Sequence, residues 1–293
     1  MADLAAETEA ALEAALGAFN GIGDIERIHE PDLVRTIAPG RPYGFLNGVM
    51  ALNLDPARVG ERVADMDREY RDRGLPLTWW ITPHSRPSDV ADRLASTGLA
   101  PEEDEAGMAI ELASWTEPAV PPELSIDVVA DRAALADWVT AMGASYGWDD
   151  PAKADTLREL YDPESDDGIP RPGIQLLVRR DGEPVGCGSL FESGGFGWVT
   201  NIGAVPAARR RGVGGAVTGR LLTIARERGH RRAFLAASLM GEPVYRRMGF
   251  VTTCRLGRLT RPAWSAHSKT SSYCRTRATR WVWRWCRSSS AQC

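Results

Sequence analysis

The sequence has few of the residues that bind metals or form disulfide frameworks. It contains five cysteines and four histidines in 293 residues, and no two cysteines form a C-x-x-C pair. Cys187 is the only cysteine in the first 253 residues. The histidines lie too far apart for a zinc signature, at positions His29, His84, His230 and His267. We therefore expect no metal site and no disulfide framework.

Long apolar segments are also missing. No apolar run approaches the roughly 18 residues that a membrane-spanning helix requires. The first residues, MADLAAETEAALEAALGAF, are acidic and rich in alanine, and they lack the basic region that begins a signal peptide. The sequence therefore predicts a cytoplasmic protein that does not bind a membrane.

Charge is distributed unevenly, although the formal net charge is only −4. From Cys254 onward there are nine basic residues and no acidic ones, which leaves 26 basic and 39 acidic residues in the first 253. Because binding to a phosphate backbone needs clustered Lys and Arg, nucleic acid is not the expected partner. An acidic body is compatible with a cationic substrate such as an amine.

The C-terminal segment, residues 264–293, differs in composition from the rest of the chain. It includes the stretch WVWRWCR and shows no helix or strand pattern with a continuous apolar face. Contact with a membrane or nucleic acid is one interpretation. A basic, disordered tail, or residues translated from a shifted reading frame, is the interpretation that we favour.

Three prolines in WTEPAVPPE, residues 115–123, predict a linker, which we place at 118–123. This divides the chain into domains at residues 1–117 and 124–263.

After the linker, LSIDVVA is a predicted strand and Asp131 a predicted helix N-cap. The Asp181-Gly182 pair predicts a hairpin turn, and a second turn follows at 193–195, which gives a three-stranded antiparallel meander.

The meander is followed by a predicted helix, strand and short helix. Apolar residues of the helix recur at three- and four-residue spacing, at Val213, Val217, Leu221, Ile224 and Ala225. RRAFLAAS is the predicted strand, and GEPVYRRMGF the short helix. A strand–helix–strand connection of this kind is a parallel crossover, so the predicted sheet is mixed.

The first half of the chain repeats this order. YGFLNGVMALNL, a helix starting at Asp55-Pro56, the strand LTWWIT and the short helix RPSDVADRLASTG follow one another. Pro56 and Gly98 are 42 residues apart, and Pro206 and Gly249 are 43 apart. Matched spacing indicates an internal duplication.

The two copies differ where the second copy is rich in glycine. The stretch VPAARRRGVGGAV places Arg209, Arg210 and Arg211 directly before three glycines, Gly212, Gly214 and Gly215. In the first copy, Val59, Arg62 and Ala64 hold the places of Arg209, Gly212 and Gly214, and Leu94 holds the place of Tyr245.

Bare backbone at the start of a helix predicts an anion-binding site. The first four N–H groups of a helix have no helical partner, and the helix dipole favours negative charge there. A Walker A loop needs G-x-x-x-x-G-K-[ST], which is absent. A dinucleotide fingerprint is also excluded, because Val217 stands where its third glycine would be and Arg232 where its acidic residue would be.

The sequence instead resembles the GNAT superfamily of N-acetyltransferases. Ala204-Val205-Pro206, followed by Arg209-Arg210-Arg211-Gly212-Val213-Gly214, is similar to its acetyl-CoA signature, and Val244–Phe250 is similar to its downstream tyrosine and Gly-Phe motif. The resemblance covers residues 124–262. It implies an α/β (α+β) fold with two GNAT-like domains, each with a mixed, mostly antiparallel sheet flanked by helices, the first domain being degenerate.

The resemblance implies acetyl-CoA as co-substrate and a set of residues that bind it. The pantetheine arm would pair with backbone near Ile202, Ala204 and Val205, and Ser238 stands where many members have asparagine. The diphosphate would lie on the amides of Gly212, Val213, Gly214, Gly215 and Ala216, beside Arg209, Arg210 and Arg211.

The same resemblance implies an acetyl transfer to a primary amine by direct attack in a ternary complex. Tyr245 is the predicted proton donor to the departing thiolate, and Glu192 the first candidate for the general base. Asp149 and Asp150 could bind or deprotonate the amine, with Trp148 and Tyr146 as aromatic walls. Each carboxylate could instead be a solvated loop residue, and Tyr245 a core residue.

A second function remains open at this point, a non-catalytic acyl-CoA-binding or sensor protein. The acceptor is not specified by the sequence, and a small molecule or a peptide are both compatible with it. A homodimer is possible, although the two halves could pair with each other in one chain.

Overall fold

The computed structural model describes residues 3–193 and 195–261. Its helices are α1 Leu4–Leu16, α2 Val59–Asp72, α3 Val90–Ser96, α4 Arg132–Tyr146, α5 Pro151–Tyr161, α6 Val213–Glu227 and α7 Glu242–Arg247. Its strands are β1 Glu26–His29, β2 Val34–Ile37, β3 Gly48–Met50, β4 Leu77–Ile81, β5 Ala100–Pro101, β6 Glu105–Glu111, β7 Leu124–Val128, β8 Ile174–Arg180, β9 Glu183–Ser193, β10 Phe196–Ala204, β11 Arg232–Ala237 and β12 Val251–Arg261. The segment 264–293, with both interpretations of it, lies outside the described residues.

Local signals position the elements of the second half as predicted. Asp131 caps α4 by accepting a hydrogen bond from the amide of Ala134 at 2.7 Å. Asp181 and Gly182 both adopt positive φ, 51° and 85°, which the tight turn between β8 and β9 requires. Strands β8, β9 and β10 form the antiparallel meander, and β10 and β11 are parallel across the α6 crossover.

The first half follows the same order with different boundaries. Strands β3 and β4 are parallel across α2, and α3 follows β4. The predicted strand YGFLNGVMALNL is reduced to three residues, Gly48–Met50. Helix α2 begins at Val59, three residues after Pro56, because the Asp55 carboxylate first accepts the amide of Ala57 at 2.9 Å in a local turn.

The two halves share one sheet because they exchange terminal strands. Its order is β1-β2-β3-β4-β12-β6-β11-β10-β9-β8-β7, with β5 paired to β12. Strand β6 of the first half lies between β11 and β12 of the second. The C-terminal part of β12, Gly257 to Arg261, in turn pairs with β4. The mixed, mostly antiparallel sheet with flanking helices is confirmed.

Helices cover both faces of the second half's sheet. On one face lie α4, α5 and α1, and on the other α6. Helix α1, which the sequence pattern did not predict, crosses over to contact β6, β9, β10, β11 and β12. No helix in the described ranges is long and apolar enough to cross a membrane.

The proline-rich linker is packed against α6. Trp115 donates its indole N–H to Thr223 at 3.3 Å, and a Cβ on Gly219 would lie 3.2 Å from Pro118. The boundaries at 1–117, 118–123 and 124–263 stay a prediction, since the exchanged strands join the halves on either side of the linker.

Candidate active site

The start of α6 presents backbone amides that lack helical acceptors. Gly212 is its N-cap, with φ 80° and no side-chain capping hydrogen bond. The first helical hydrogen bond runs from the amide of Ala216 to the carbonyl of Gly212 at 2.9 Å. The amides of Val213, Gly214 and Gly215 precede it and remain available for an anion. Ala216, which the sequence predicted in this set, already uses its amide within the helix.

Protein packing does not require the two glycines inside this first turn. A Cβ built on Gly215 meets nothing within 4 Å, and one on Gly214 meets only Ile202 Cγ2 at 3.9 Å. A helix position that tolerates a side chain but carries glycine is less stable than one with alanine. The missing side chains leave the amides uncovered, as in helix starts that bind phosphate groups.

The three arginines have different surroundings. Arg209 donates to the carbonyls of Ser145 at 2.9 Å and Ala204 at 3.4 Å, so it fastens the loop to the end of α4. Arg210 and Arg211 are exposed and make no hydrogen bond or ion pair with other residues in the described ranges. Their positive charge is therefore free for a ligand beside the α6 amides.

A cleft opens between β10 and β11 next to this turn. The two strands pair only at Gly197–Ala233 and Trp198–Phe234. Beyond that point β10 has a bulge between Thr200 and Gly203. Ile202 lines the cleft, whereas the amide of Val205 is already donated to Val185 at 3.0 Å.

A cavity of about 660 Å³ extends from this cleft and is walled by both halves of the chain. Its second-half lining includes Tyr146, Trp148, Ile202, Ser238 and Tyr245. Its first-half lining comes from α1 and the residues after it, from the loop before β3, from β4 and from β6, and comprises Leu12, Ala15, Leu16, Phe19, Phe45, Trp80 and Glu105.

Tyr245 lies in this cavity, and its ring packs edge-on against Phe250 with centroids 5.7 Å apart. Burial raises the pKa of the Tyr245 phenol to about 12, against a smaller opposing effect of Thr218. The phenol is therefore protonated at neutral pH and can donate. A Cβ on Gly241 would approach Tyr245 Cε2 to 3.1 Å, so glycine at that position gives the ring its space.

The predicted carboxylates are not brought to the cavity. Glu192 is ion-paired with Arg228 and with His230, whose Nε2 lies 2.8 Å from it, and it is not part of the lining. Asp150 caps α5 by accepting the amide of Lys153 at 3.1 Å, and Asp149 is exposed. We therefore do not retain these three as amine-binding or basic residues.

Sequence reasoning missed the three charged residues that do line the cavity, Glu105, Lys153 and Arg258. Burial raises the pKa of Glu105, with Arg258 opposing it from 3.5 Å. Lys153 Nζ lies 4.9 Å from the centre of a Trp148 ring, and burial lowers its pKa. Glu105 is the last residue of the acidic run EEDE. No local sequence pattern shows that its strand joins the sheet of the other half.

The corresponding position in the first half borders a smaller cavity of about 440 Å³, whose lining includes three aspartates, Asp32, Asp55 and Asp65, that disfavour an anion. Arg62 stands where the second half has Gly212, and its guanidinium is ion-paired with Glu30 and, at 3.0 Å, with Asp32. No group of three or more His, Cys, Asp or Glu residues that could hold a metal occurs in the described part of the chain.

Comparison with known proteins agrees with the second-half site. Residues 135–250 match the model of the Acetyltransferase (GNAT) family. No curated protein sequence matches the chain.

Solved structures extend the likeness over most of the chain. A GCN5-related N-acetyltransferase from Kribbella flavida has a TM-score of 0.65 at 20% identity, covering 88% of this chain and 96% of its own. One from Sphaerobacter thermophilus has a TM-score of 0.58 at 18% identity, covering 88% and 93%. A tandem GNAT protein from the clavulanic acid biosynthesis pathway has a TM-score of 0.56 at 16% identity, covering 80% and 79%.

Residues 135–250 thus match the GNAT acetyltransferase family model, within a chain whose fold is that of GNAT proteins, including a tandem one. The motifs that predicted this family occupy the helix start and the cleft described above.

Proposed function

We propose that this protein is an acetyl-CoA-dependent N-acetyltransferase that acetylates a primary amine by direct attack in a ternary complex. The observation that carries the proposal is the start of α6, where the amides of Val213, Gly214 and Gly215 stand uncovered beside two free arginines. Such a site suits the diphosphate of coenzyme A.

The cleft between β10 and β11 would hold the pantetheine arm. Ile202 and Ser238 lie on its two sides, and both line the cavity. The Ser238 hydroxyl accepts the amide of Gly241 at 3.2 Å and keeps its proton free for donation to a pantetheine carbonyl. The thioester would then lie at the cavity, near Tyr245.

Tyr245 would serve the leaving group. As the C–S bond breaks, its phenol donates a hydrogen bond to the developing thiolate and passes on its proton. A proton from the amine nitrogen then replaces the one that the phenol has lost. A phenol is a weaker acid than a thiol, so this transfer depends on the attacking nitrogen losing its own proton in the same step.

The proposal is tested by measuring release of free thiol from acetyl-CoA with a panel of amines, for the intact chain and for Tyr245→Phe. We expect turnover by the intact chain and a loss of about 100-fold or more in kcat for the variant, the usual scale of a general acid. Affinity for acetyl-CoA, measured by calorimetry, should not change.

A non-catalytic sensor would give the opposite pattern. Tight binding of acetyl-CoA without turnover of any amine would overturn the proposed activity, and it would leave the cofactor site in place. Turnover that is equal in both proteins would remove Tyr245 from the mechanism.

A further inference from the structure

We propose that Glu105, contributed by the first half of the chain, binds the ammonium group of the acceptor and takes its proton, and that the acceptor is a primary amine on an aromatic body. This inference rests on the proposed acetyltransferase function and names the substrate class and the base of the same cavity.

Strand register places Glu105 beside the acetyl-CoA cleft. Ala106 and Gly107 of β6 pair with Ala237 and Ala236 of β11. Continuing this antiparallel register by one residue sets Glu105 beside Ser238, on the same face of the sheet. Both side chains line the cavity, so the carboxylate lies one strand away from the predicted pantetheine contact.

Glu105 is the acidic side chain of the cavity lining, and the charges of the groups that face it are as follows. Arg258 of β12 approaches to 3.5 Å but also bridges to Glu102 at 3.1 Å, so its charge is shared. Glu102 and the exposed Glu103 precede Glu105 in the chain, and Tyr146 of α4 faces it as a neutral phenol at ordinary pH.

The remaining facing groups come from other helices. Tyr245 of α7 is neutral, and Lys153 of α5 is drawn to the Trp148 ring. Burial raises the pKa of Glu105, and a carboxylate with a raised pKa is a stronger base once it is ionised.

Aromatic side chains form much of the wall of the cavity that Glu105 lines. Phe19, Phe45, Trp80, Trp148 and Trp198 line the cavity, the first three from the first half. Aromatic walls beside an anionic carboxylate suit a molecule that has an aromatic ring and a cationic nitrogen. A polyamine or an amino sugar would make less contact with these walls, because neither has an aromatic ring to pack on them.

The proton transfers balance with these residues. An alkylamine is about 99.9% protonated at pH 7, so Glu105 first takes one proton from the ammonium group and later releases it to solvent. The nitrogen lone pair forms the C–N bond at the thioester carbonyl. As the C–S bond breaks, the second N–H proton replaces the one that Tyr245 gives to the thiolate.

The test uses the full chain, Glu105→Gln, and Glu183→Gln as a matched control on an exposed hairpin residue. Phenethylamine and tryptamine are compared with putrescine and glucosamine in the thiol-release assay between pH 6 and 9. Binding of phenethylamine to the protein with coenzyme A is measured separately by calorimetry.

We expect the aromatic amines to have kcat/KM values at least about tenfold above those of the polar ones. Glu105→Gln should lose about 100-fold or more in kcat/KM with phenethylamine, lose measurable phenethylamine binding, and lose the fall in rate toward low pH. Acetyl-CoA binding should be unchanged, and Glu183→Gln should match the intact chain.

Different results would overturn the role of Glu105, the substrate class and the proposed activity. Turnover that is unaffected in Glu105→Gln overturns the role of Glu105, and a preference for putrescine or glucosamine overturns the aromatic substrate class. Absence of turnover on every amine overturns the proposed function. In that case, phenethylamine binding that depends on Glu105 would still support the amine site, and binding that does not would remove it as well.

Discussion

At the scale of single residues, Glu192 and Glu105 have the same side chain but different surroundings. Arg228 and His230 hold both carboxylate oxygens of Glu192 at the end of β9. Glu105 lines the cavity, where burial raises its pKa although Arg258, whose charge Glu102 shares, lies 3.5 Å away. A carboxylate that lines a cleft and has a raised pKa is the better candidate for a base.

This difference predicts a small effect of Glu192→Gln on catalysis. We expect kcat/KM to stay within about threefold of the intact chain, because the side chain does not reach the cavity. The lost ion pairs should cost about 1 kcal/mol of folding free energy, since Glu192 is only partly buried. A denaturant titration and the thiol-release assay measure the two effects. A loss of 100-fold in turnover would return Glu192 to the reaction.

Local motifs could predict some residues of the site, and spatial arrangement determined the rest. Tyr245 and Ser238 sit within a recognisable sequence pattern, and the structure places both in the cavity. Glu105 lies about 140 positions from Tyr245 in a strand that joins the other half. No spacing rule within one half can bring these two residues together.

At the scale of elements, the first turn of α6 contains glycines that packing does not require and that lower helix stability. Gly215 occupies a helical position where a methyl group would meet no atom within 4 Å. Gly60, the second residue of α2, has the same freedom in the first half. The two glycines form a matched pair. Gly215 lies in the helix that is predicted to bind the diphosphate, and Gly60 lies in a helix that is predicted not to.

Replacement of each glycine by alanine separates stability from binding. Gly215→Ala and Gly60→Ala should each raise the free energy of unfolding by up to about 1 kcal/mol, because alanine restricts the unfolded chain. Only Gly215→Ala should weaken acetyl-CoA binding, by about tenfold, the value of one charge-assisted hydrogen bond. Thermal unfolding and calorimetry provide the two measurements.

One result would contradict diphosphate binding at the first turn of α6. If Gly215→Ala gains stability and binds acetyl-CoA as tightly as the intact chain, the amides of this turn do not contact the diphosphate. Weakening in Gly60→Ala would instead place the ligand at the first half.

At the scale of the whole molecule, the exchange of terminal strands explains why one cavity has walls from both halves. Strand β6 carries Glu105 into the second half's sheet, while β12 returns to pair with β4 of the first. Helix α1 adds Leu12 and Leu16 to the same wall. The first half lacks the glycine-rich turn, and it contributes the part of the cavity wall that we propose for the acceptor.

The repeat of strand, helix, strand and helix could be predicted because each unit is built from contacts close in sequence. Proline and glycine mark its ends, and apolar spacing marks the buried face of α6. The exchange of β6 and β12 depends on long-range pairing, and so does the covering of the second half by α1. Local periodicity contains no information about which half a strand joins.

The most direct test of the central claim is the number of acetyl-CoA molecules bound per chain, measured by isothermal titration calorimetry. We predict one molecule per chain, held at α6, because at the corresponding position of the first half Arg62 is already ion-paired with Glu30 and Asp32 and the adjoining cavity is lined by three aspartates. Binding of two molecules, or of none, would contradict the account.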